Sequence, residues 1–249
     1  MDAKLIYENF QQQSASAHVG AKVLPNNRSV GVFIGMSNTD WVYSQSKKNN
    51  SAASTVFETM NTSLAAAANR ISYVFGLTGP SMVVDTACSS SLVALHQACA
   101  ALNNNDCEYA LVGGADLLIS KHAIEVTCSF VSFCVLTINL FRCVTCIQIR
   151  EASQMLSYDG KCRTFDMYAD GYVRGEGVAC IILKKTGSLN TVAESNAYGI
   201  IRSTAVNQDG KSACFTAPNA LAQKQLLRRA LTCANLEPKD VAYIEAHGT

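Results

Sequence analysis

The sequence has 249 residues, and its 20 lysines and arginines nearly balance 19 aspartates and glutamates, for a net charge of +1. Hydrophobic residues make up 49% and charged residues 16%, which excludes intrinsic disorder, collagen and coiled coils. The balanced charge offers no basic surface for nucleic acid, and the charged N-terminus lacks the apolar run of a secretory signal. We therefore expect a cytoplasmic globular protein whose eleven cysteines are reduced.

The predicted elements begin after a polar leader at residues 1–30. Gly31–Gly35 is a short apolar run that predicts a buried strand, and the alanine-rich stretch 51–70 is compatible with a helix. These two elements alone do not define a fold.

The clearest predicted unit lies between residues 81 and 114. Ser81–Asp85 predicts a strand, Ser89–Leu102 a helix, and Tyr109–Gly114 a second buried strand. Three apolar side chains are expected on the buried face of this helix: Leu92, Leu95 and Cys99. A strand, a helix and a strand at this spacing predict a parallel βαβ unit.

The segment from Val126 to Ile149 differs from the rest of the chain. It contains four cysteines, no glycine or proline, and one charge, Arg142. A membrane span is disfavoured because the uncharged run before Arg142 is short, and the Cys143/Cys146 pair alone is weak evidence for zinc. We interpret 126–149 as an atypical insert, with a translated intron or a gene-model error as the hypothesis for its origin.

The remaining chain alternates strands and a helix. Val178–Leu183, Tyr198–Ser203 and Val241–Ala246 predict strands, and Leu221–Ala234 predicts an amphipathic helix. Three leucines of this helix are spaced for one face: Leu226, Leu227 and Leu231. This alternation predicts the α/β class.

Cys88 is the first candidate for chemistry because it joins a predicted strand to a predicted helix. The stretch Asp85-Thr86-Ala87-Cys88-Ser89-Ser90-Ser91 would place its sulfur at a helix N-terminus, where the dipole and free N–H groups favour a thiolate. This strand–turn–helix placement follows the logic of a hydrolase nucleophile elbow, without the flanking glycines. Taken alone, a cysteine in this position is more often a buried structural residue at the start of a helix.

His247 is the second candidate, at the end of the last predicted strand. The carboxyl edge of an open α/β sheet is where such folds place their sites, although a lone histidine is more often structural. His18, His96 and His122 have no motif and are assigned no chemistry. The glycine-dense stretch 170–177 precedes a strand, so it predicts a tight turn with Arg174 and Glu176 in a local network, and no phosphate site.

Several stretches together resemble the ketosynthase domains of the β-ketoacyl synthase family in polyketide and fatty acid synthases. The stretch Gly79–Leu92, which contains Asp85-Thr86-Ala87-Cys88-Ser89-Ser90-Ser91, is similar to the active-site region of that family. Five further stretches follow in the family's order: Met155–Asp166, Asp170–Gly177, Asn207-Gln208-Asp209-Gly210, Phe215–Asn219 and Glu245-Ala246-His247-Gly248-Thr249. The resemblance covers about residues 31–125 and 150–249.

The resemblance implies a thiolase-like, layered αβαβα fold that usually dimerises, and decarboxylative Claisen condensation as the reaction. Cys88 would accept an acyl group from the phosphopantetheine of an acyl carrier protein, with its backbone N–H as one oxyanion donor. A malonyl-type extender would then lose carbon dioxide and attack the acyl-cysteine, and His247 would stabilise the enolate. The resemblance implies no metal, no directly bound cofactor and no membrane span.

The resemblance also implies a domain organisation. Residues 31–187 would be the N-terminal half with the insert 126–149, and residues 198–249 the beginning of the C-terminal half. The family pattern continues beyond Thr249 with a lysine, a second histidine and a glycine-rich loop, so the chain is expected to be a fragment. The first hypothesis is a condensing enzyme fragment of the 3-oxoacyl-[acyl-carrier-protein] synthase type, more similar to polyketide-type than to stand-alone synthases, and the fragment itself is expected to have low or no activity. The alternative is a catalytically incompetent chain that binds only a carrier or a partner subunit. A thiolase or a starter-unit synthase is a third possibility that the serine run argues against.

Overall fold

The computed structural model describes residues 29–37, 63–117, 156–186, 197–214 and 217–248. Nearly all of the predicted leader and the whole predicted insert 126–149 lie outside these ranges, as do His18 and His122. Among the described residues, none of the helices combines the length and apolar character needed to cross a membrane.

Four strands form one sheet in the order β2-β1-β3-β4. They comprise Val30–Gly35 (β1), Ser81–Val84 (β2), Tyr109–Asp116 (β3) and Gly177–Lys184 (β4). β1 pairs in parallel with β2, where Val32 lies opposite Ser81, and with β3, where Val30 lies opposite Tyr109. The predicted parallel βαβ unit is confirmed, with β1 inserted between its two strands.

The described residues contain three α-helices: Ala65–Phe75 (α1), Ser90–Asn104 (α2) and Ala220–Ala234 (α3). They also contain two short 3-10 turns, Ala87–Ser89 and Pro238–Asp240. Each α-helix ends at a residue in the left-handed conformation, and two of these residues are asparagines, which tolerate that conformation. Residues 51–62 of the helix expected at 51–70 lie outside the described residues, and in the described part α1 continues past Arg70 to Phe75 because no turn residue interrupts the run before Gly76.

The core is built on both faces of β1, since successive strand residues point to opposite sides. Val30, Val32 and Ile34 pack in one cluster with residues of α1 and the following turn. Phe33 points the other way and packs against the alanines of α2. A strand covered on both faces reads as a continuous apolar run, which is why Gly31–Gly35 was predictable from composition.

The predicted buried face of α2 is wrong. The buried residues are Ser90, Ala94, Ala98, Ala101 and Leu102, whereas Leu92 is 71% exposed. Leu95 and Cys99 are only partly buried. Because α2 packs closely on the strands beneath it, small side chains occupy the contact and the larger leucine is directed away.

Among the described residues, two segments predicted as strands are not paired in a sheet, and strand β4 and helix α3 are less buried than expected. Tyr198–Ser203 and Val241–Ala246 form no ladder with any other described segment, because an apolar run favours an extended chain but a strand also needs a hydrogen-bonding neighbour. In β4, the one buried residue is Cys180. In α3, Leu227 is exposed while Leu226 and Leu231 are partly buried.

The chain divides into two compact units. The first contains, among its described residues, 29–37, 64–114 and most of 178–244; the second contains 115–117, 156–177 and 245–248. The two candidate residues fall in different units, Cys88 in the first and His247 in the second.

Candidate active site

Cys88 lies in the 3-10 turn Ala87–Ser89, between the end of β2 and the first residue of α2. Its side chain is exposed. The residue before it, Ala87, has a φ of 54°, a left-handed conformation that costs a non-glycine residue about 1–3 kcal/mol. The predicted strand–turn–helix placement of Cys88 is confirmed, and the turn, which we call the elbow (residues 85–90), is strained immediately before the thiol.

Side chains of the elbow hold this turn by hydrogen bonds to its own backbone. The Ser90 hydroxyl accepts from the Thr86 N–H at 2.9 Å and donates to the Ala87 carbonyl at 2.6 Å. The Asp85 carboxylate accepts from the Ala87 N–H at 3.1 Å, and the Ser89 hydroxyl donates to the Thr86 carbonyl at 2.9 Å. Local side-chain bonds of this kind let the chain leave a strand and enter a helix in one tight turn.

Two glycines at the carboxyl ends of neighbouring strands allow α2 to begin close to the sheet. A Cβ on Gly35, the last residue of β1, would lie 2.5 Å from the Ser91 Cα and 2.6 Å from the Ser90 carbonyl carbon. A Cβ on Gly114 of β3 would overlap the Ser91 side chain. The absence of side chains at these positions therefore lets the start of α2, and the elbow with it, sit at the carboxyl edge of the sheet.

The other described cysteines differ from Cys88 in burial or position. Burial raises the pKa of the thiols of Cys99, Cys107 and Cys180, which disfavours their reactive thiolates. Three further cysteines are exposed but lie away from the start of any α-helix: Cys162, Cys214 and Cys233. Exposure and placement at a helix N-terminus are thus combined at Cys88.

His247 is exposed and precedes Gly248, whose φ is 72°. A Cβ on Gly248 would overlap the Thr164 methyl group, so the chain beside His247 contacts the 157–170 loop of the same unit. Thr164 itself lies between Arg163 and Phe165, which both have positive φ values of 44° and 62°. A sharply bent loop therefore supports the backbone next to His247.

Charged side chains stabilise that loop. Arg163 forms ion pairs with Asp159 and with Asp170, the latter at 3.8 Å. Hydrogen bonds from the Ser157 hydroxyl and the Tyr158 amide hold the pKa of the Asp170 carboxyl below its usual range, with Arg163 adding to the effect.

The predicted network at Arg174 and Glu176 can be placed in part. Arg174 forms an ion pair with Asp116 at 3.7 Å, which ties the glycine-dense turn to the end of β3. Both residues belong to the second unit. The sequence indicated the arginine but not this partner, which lies 58 positions earlier in the numbering.

Two motifs that resembled the family prove to have a structural role in the first unit. The Asn219 side chain caps α3 by accepting from the Leu221 and Ala222 amides, and its own amide donates to the Asp209 carbonyl at 2.8 Å. Asn207 donates to the Ala222 carbonyl at 2.8 Å. The stretches around Asn207 and Asn219 are therefore joined by hydrogen bonds at the start of α3. Their spacing in the sequence alone did not reveal this role.

His96, to which the sequence assigned no chemistry, is partly buried, and its Nδ1 lies 2.7 Å from the Thr204 hydroxyl. Across the described ranges, no group of three or more histidines, cysteines or acidic residues is arranged to hold a metal ion.

Comparison with known families gives two matches along the chain. Residues 3–131 and 138–188 match the model described as the β-ketoacyl synthase N-terminal domain, and residues 198–249 match the corresponding C-terminal domain. The first match begins well before residue 31 and omits residues 132–137, which lie inside the predicted insert. The leader and the bounds of the insert stay predictions.

Curated relatives are large polyketide synthases. The chain is 39% identical over 223 residues to the non-reducing polyketide synthase dpmaA of Metarhizium anisopliae. This alignment covers 89% of this chain and 9% of that protein. It is 38% identical over 233 residues to the polyketide synthase PksN of Bacillus subtilis, covering 94% of this chain and 4% of the relative. The chain therefore spans less than a tenth of these curated relatives.

Solved structures give the same result for the fold. The ketosynthase from module 6 of the bacillaene synthase of Bacillus subtilis matches with a TM-score of 0.69 and 33% identity, over 92% of this chain and 34% of that one. An oxazolomycin ketosynthase domain from a Streptomyces albus strain matches with a TM-score of 0.68 and 36% identity, over 88% of this chain and 34% of that one. The chain spans about a third of these structures, and the predicted α/β fold class is confirmed.

Proposed function

The chain belongs to the β-ketoacyl synthase family, with the thiolase-like fold of its ketosynthase domains, and we propose that Cys88 is the acyl-accepting nucleophile of a polyketide-type ketosynthase. The observation that carries this proposal is the exposed Cys88 thiol on a strained elbow at the N-terminus of α2.

The first step is transfer of an acyl group from a carrier protein to Cys88. The thiolate attacks the carbonyl carbon of an acyl thioester on the phosphopantetheine of an acyl carrier protein, and the backbone N–H of Cys88 donates to the oxyanion. The carrier thiol then leaves with a proton, and the acyl group is held on the Cys88 sulfur. The exposure of Cys88 supports this step because the thioester must approach from solvent.

The second step is condensation with a malonyl-type extender on acyl carrier protein. The extender loses carbon dioxide, and the resulting carbanion attacks the acyl-Cys88 carbonyl, which releases the thiol and forms a 3-oxoacyl product on the carrier. His247 stabilises the enolate oxygen by hydrogen bonding during decarboxylation. The contact of the Thr164 loop with Gly248 supports this role because it holds the backbone beside His247.

This chemistry requires the carrier-bound phosphopantetheine and the acyl and malonyl-type thioesters as substrates, and it uses no metal and no directly bound cofactor. A cytoplasmic location and a homodimer complete the proposal. Both follow from membership of the family, whose ketosynthases usually dimerise.

Acylation of Cys88 tests the first step separately from condensation. The protein is incubated with an acyl-pantetheine thioester, and peptide mass spectrometry locates the added acyl mass. We expect it on Cys88 and not on Cys233, an exposed cysteine on α3. Cys88→Ala should abolish the modification, and Cys233→Ala should leave it unchanged. Equal acylation of both cysteines would contradict the proposal.

Release of carbon dioxide from malonyl carrier protein tests the second step. Release that depends on His247 supports its role, and His247→Ala should lower the rate without affecting acylation of Cys88. Acylation of Cys88 without carbon dioxide release would instead favour a chain that binds the acyl group but does not condense it. Such a result leaves the nucleophile assignment intact and rejects the proposed role of His247.

A further inference from the structure

The serine run after Cys88 contains three residues in different environments. Ser89 and Ser91 are exposed, whereas Ser90 is only 4% exposed and is the buried polar residue of the described core. A buried hydroxyl is costly unless both its donor and its acceptor capacities are used. Ser90 uses both, and both partners belong to the elbow.

The two hydrogen bonds of the Ser90 hydroxyl reach the backbone of Thr86 and of Ala87, the strained residue before Cys88. The Thr86 N–H, which precedes Ala87, donates to the Ser90 Oγ at 2.9 Å. The Ala87 carbonyl, which immediately precedes the Cys88 N–H, accepts from the same Oγ at 2.6 Å and also from the Ser90 backbone N–H. A single side chain therefore holds the peptide unit that precedes Thr86 and the peptide unit that follows Ala87, and the second of these carries the Cys88 amide.

We propose that Ser90 is a positioning residue for Cys88, which holds the thiol and its backbone N–H in the orientation needed for acyl transfer. This inference rests on the proposed function of Cys88. Without the hydroxyl, the elbow loses two of the side-chain hydrogen bonds that hold it at the positive φ of Ala87, and it can relax toward an ordinary conformation. Ser90 itself does not contact the substrate in this proposal.

The test isolates the hydroxyl with an equal-sized pair of variants, Ser90→Thr and Ser90→Val. Both add bulk at a tightly packed position, and only threonine keeps the donor and acceptor. We expect Ser90→Val to acylate Cys88 about 10- to 100-fold more slowly than Ser90→Thr, the loss typical of a misplaced catalytic group. Ser90→Ala, which is smaller than serine, should show the same loss without the added bulk.

A matched control removes a hydroxyl elsewhere in the same unit. The partly buried Ser72 hydroxyl donates to Ser81 at 3.0 Å, away from the elbow. Ser72→Ala should lower the thermal midpoint to a similar extent as Ser90→Ala while leaving Cys88 acylation unchanged. Equal acylation by Ser90→Thr, Ser90→Val and Ser90→Ala would overturn the proposal.

Alkylation gives a readout that does not require acyl transfer. The rate of Cys88 alkylation by iodoacetamide is followed by peptide mass spectrometry for the wild type and the Ser90 variants. We expect Ser90→Val and Ser90→Ala to react more slowly than the wild type and Ser90→Thr to stay near it. Equal alkylation rates in the wild type and all three variants would refute the positioning role. Absence of wild-type acylation would instead refute the proposed function, and the alkylation rates would still decide the role of Ser90.

Discussion

Replacement of Gly35 by alanine should displace the start of α2 and impair Cys88 through the backbone of Ser90 and Ser91. The added Cβ would lie 2.5 Å from the Ser91 Cα and 2.6 Å from the Ser90 carbonyl carbon, and both are backbone atoms. Backbone cannot rotate away as the end of a side chain can. To restore ordinary contact at about 3.4 Å, the helix start must move by about 1 Å.

The expected cost follows from this displacement. Overpacking of a well-packed core costs about 1–3 kcal/mol, and a clash with backbone belongs at the upper end. Alanine is more favourable than glycine in a strand by about 0.5–1 kcal/mol, which offsets part of this cost. Gly35→Ala should therefore lower the free energy of unfolding by about 2 kcal/mol. Because the elbow moves with α2, acylation of Cys88 should slow by up to about 100-fold.

Urea unfolding and the acylation rate of Cys88 measure the two effects, and two other glycines provide controls. A Cβ on Gly199 of the same unit would meet nothing within 4 Å, so Gly199→Ala should change neither quantity. A Cβ on Gly113 would meet the Ile34 Cδ1 at 3.0 Å, the movable end of a side chain. Gly113→Ala should therefore be intermediate in stability and normal in acylation.

If Gly35→Ala were as stable and as reactive as Gly199→Ala, the claim that a Cβ at position 35 displaces α2 and the elbow would be refuted. A loss of stability with an unchanged acylation rate would also contradict it, because that result would separate the position of α2 from the function of the elbow.

Three further predictions concern the helix cap and the second unit. Asn219→Ala should lower the free energy of unfolding by about 1 kcal/mol in urea titrations through loss of the α3 cap. Because the pKa of Asp170 is lowered in the folded chain, its carboxylate stabilises the fold above about pH 4, and this stabilisation is lost as the pH falls through the folded pKa. In Asp170→Asn, the thermal midpoint should therefore fall less steeply with decreasing pH than in the wild type. Gly248→Ala should lower the carbon dioxide release assigned to His247, since it combines a positive φ with overlap on Thr164, whereas Gly175→Ala, with no neighbour within 4 Å, should be silent.

The sequence was sufficient for the elements whose signal is local. β1 is apolar throughout because it is covered on both faces, and the strand–turn–helix placement of Cys88 follows from the change of pattern at Asp85. Tyr198–Ser203 and Val241–Ala246 were predicted as strands but pair with no other described segment, because pairing depends on a neighbour that local composition does not specify.

The contacts that organise the candidate site were not predictable for a different reason. Periodicity assigned the leucines of α2 to its buried face, but close packing on the sheet selects Ala94, Ala98 and Ala101. The serine run was visible in the sequence, yet only hydrogen-bond geometry distinguishes Ser90 from Ser89. Hydropathy measures how apolar a residue is, whereas these roles depend on how much space the surrounding backbone leaves.

The position of β1 between β2 and β3 has a consequence for how the protein folds. Its partners are distant along the chain, since Val32 pairs with Ser81 and Val30 pairs with Tyr109, about 80 residues later. Loops of this length must close before the sheet gains its pairing energy, so formation of the sheet is intrinsically slow. The elbow at Cys88 rests on the end of β1 through Gly35 and therefore assembles only after this closure. During synthesis, the turn that carries Cys88 can therefore take up its final position only when the start of α2 has come together with the end of β1.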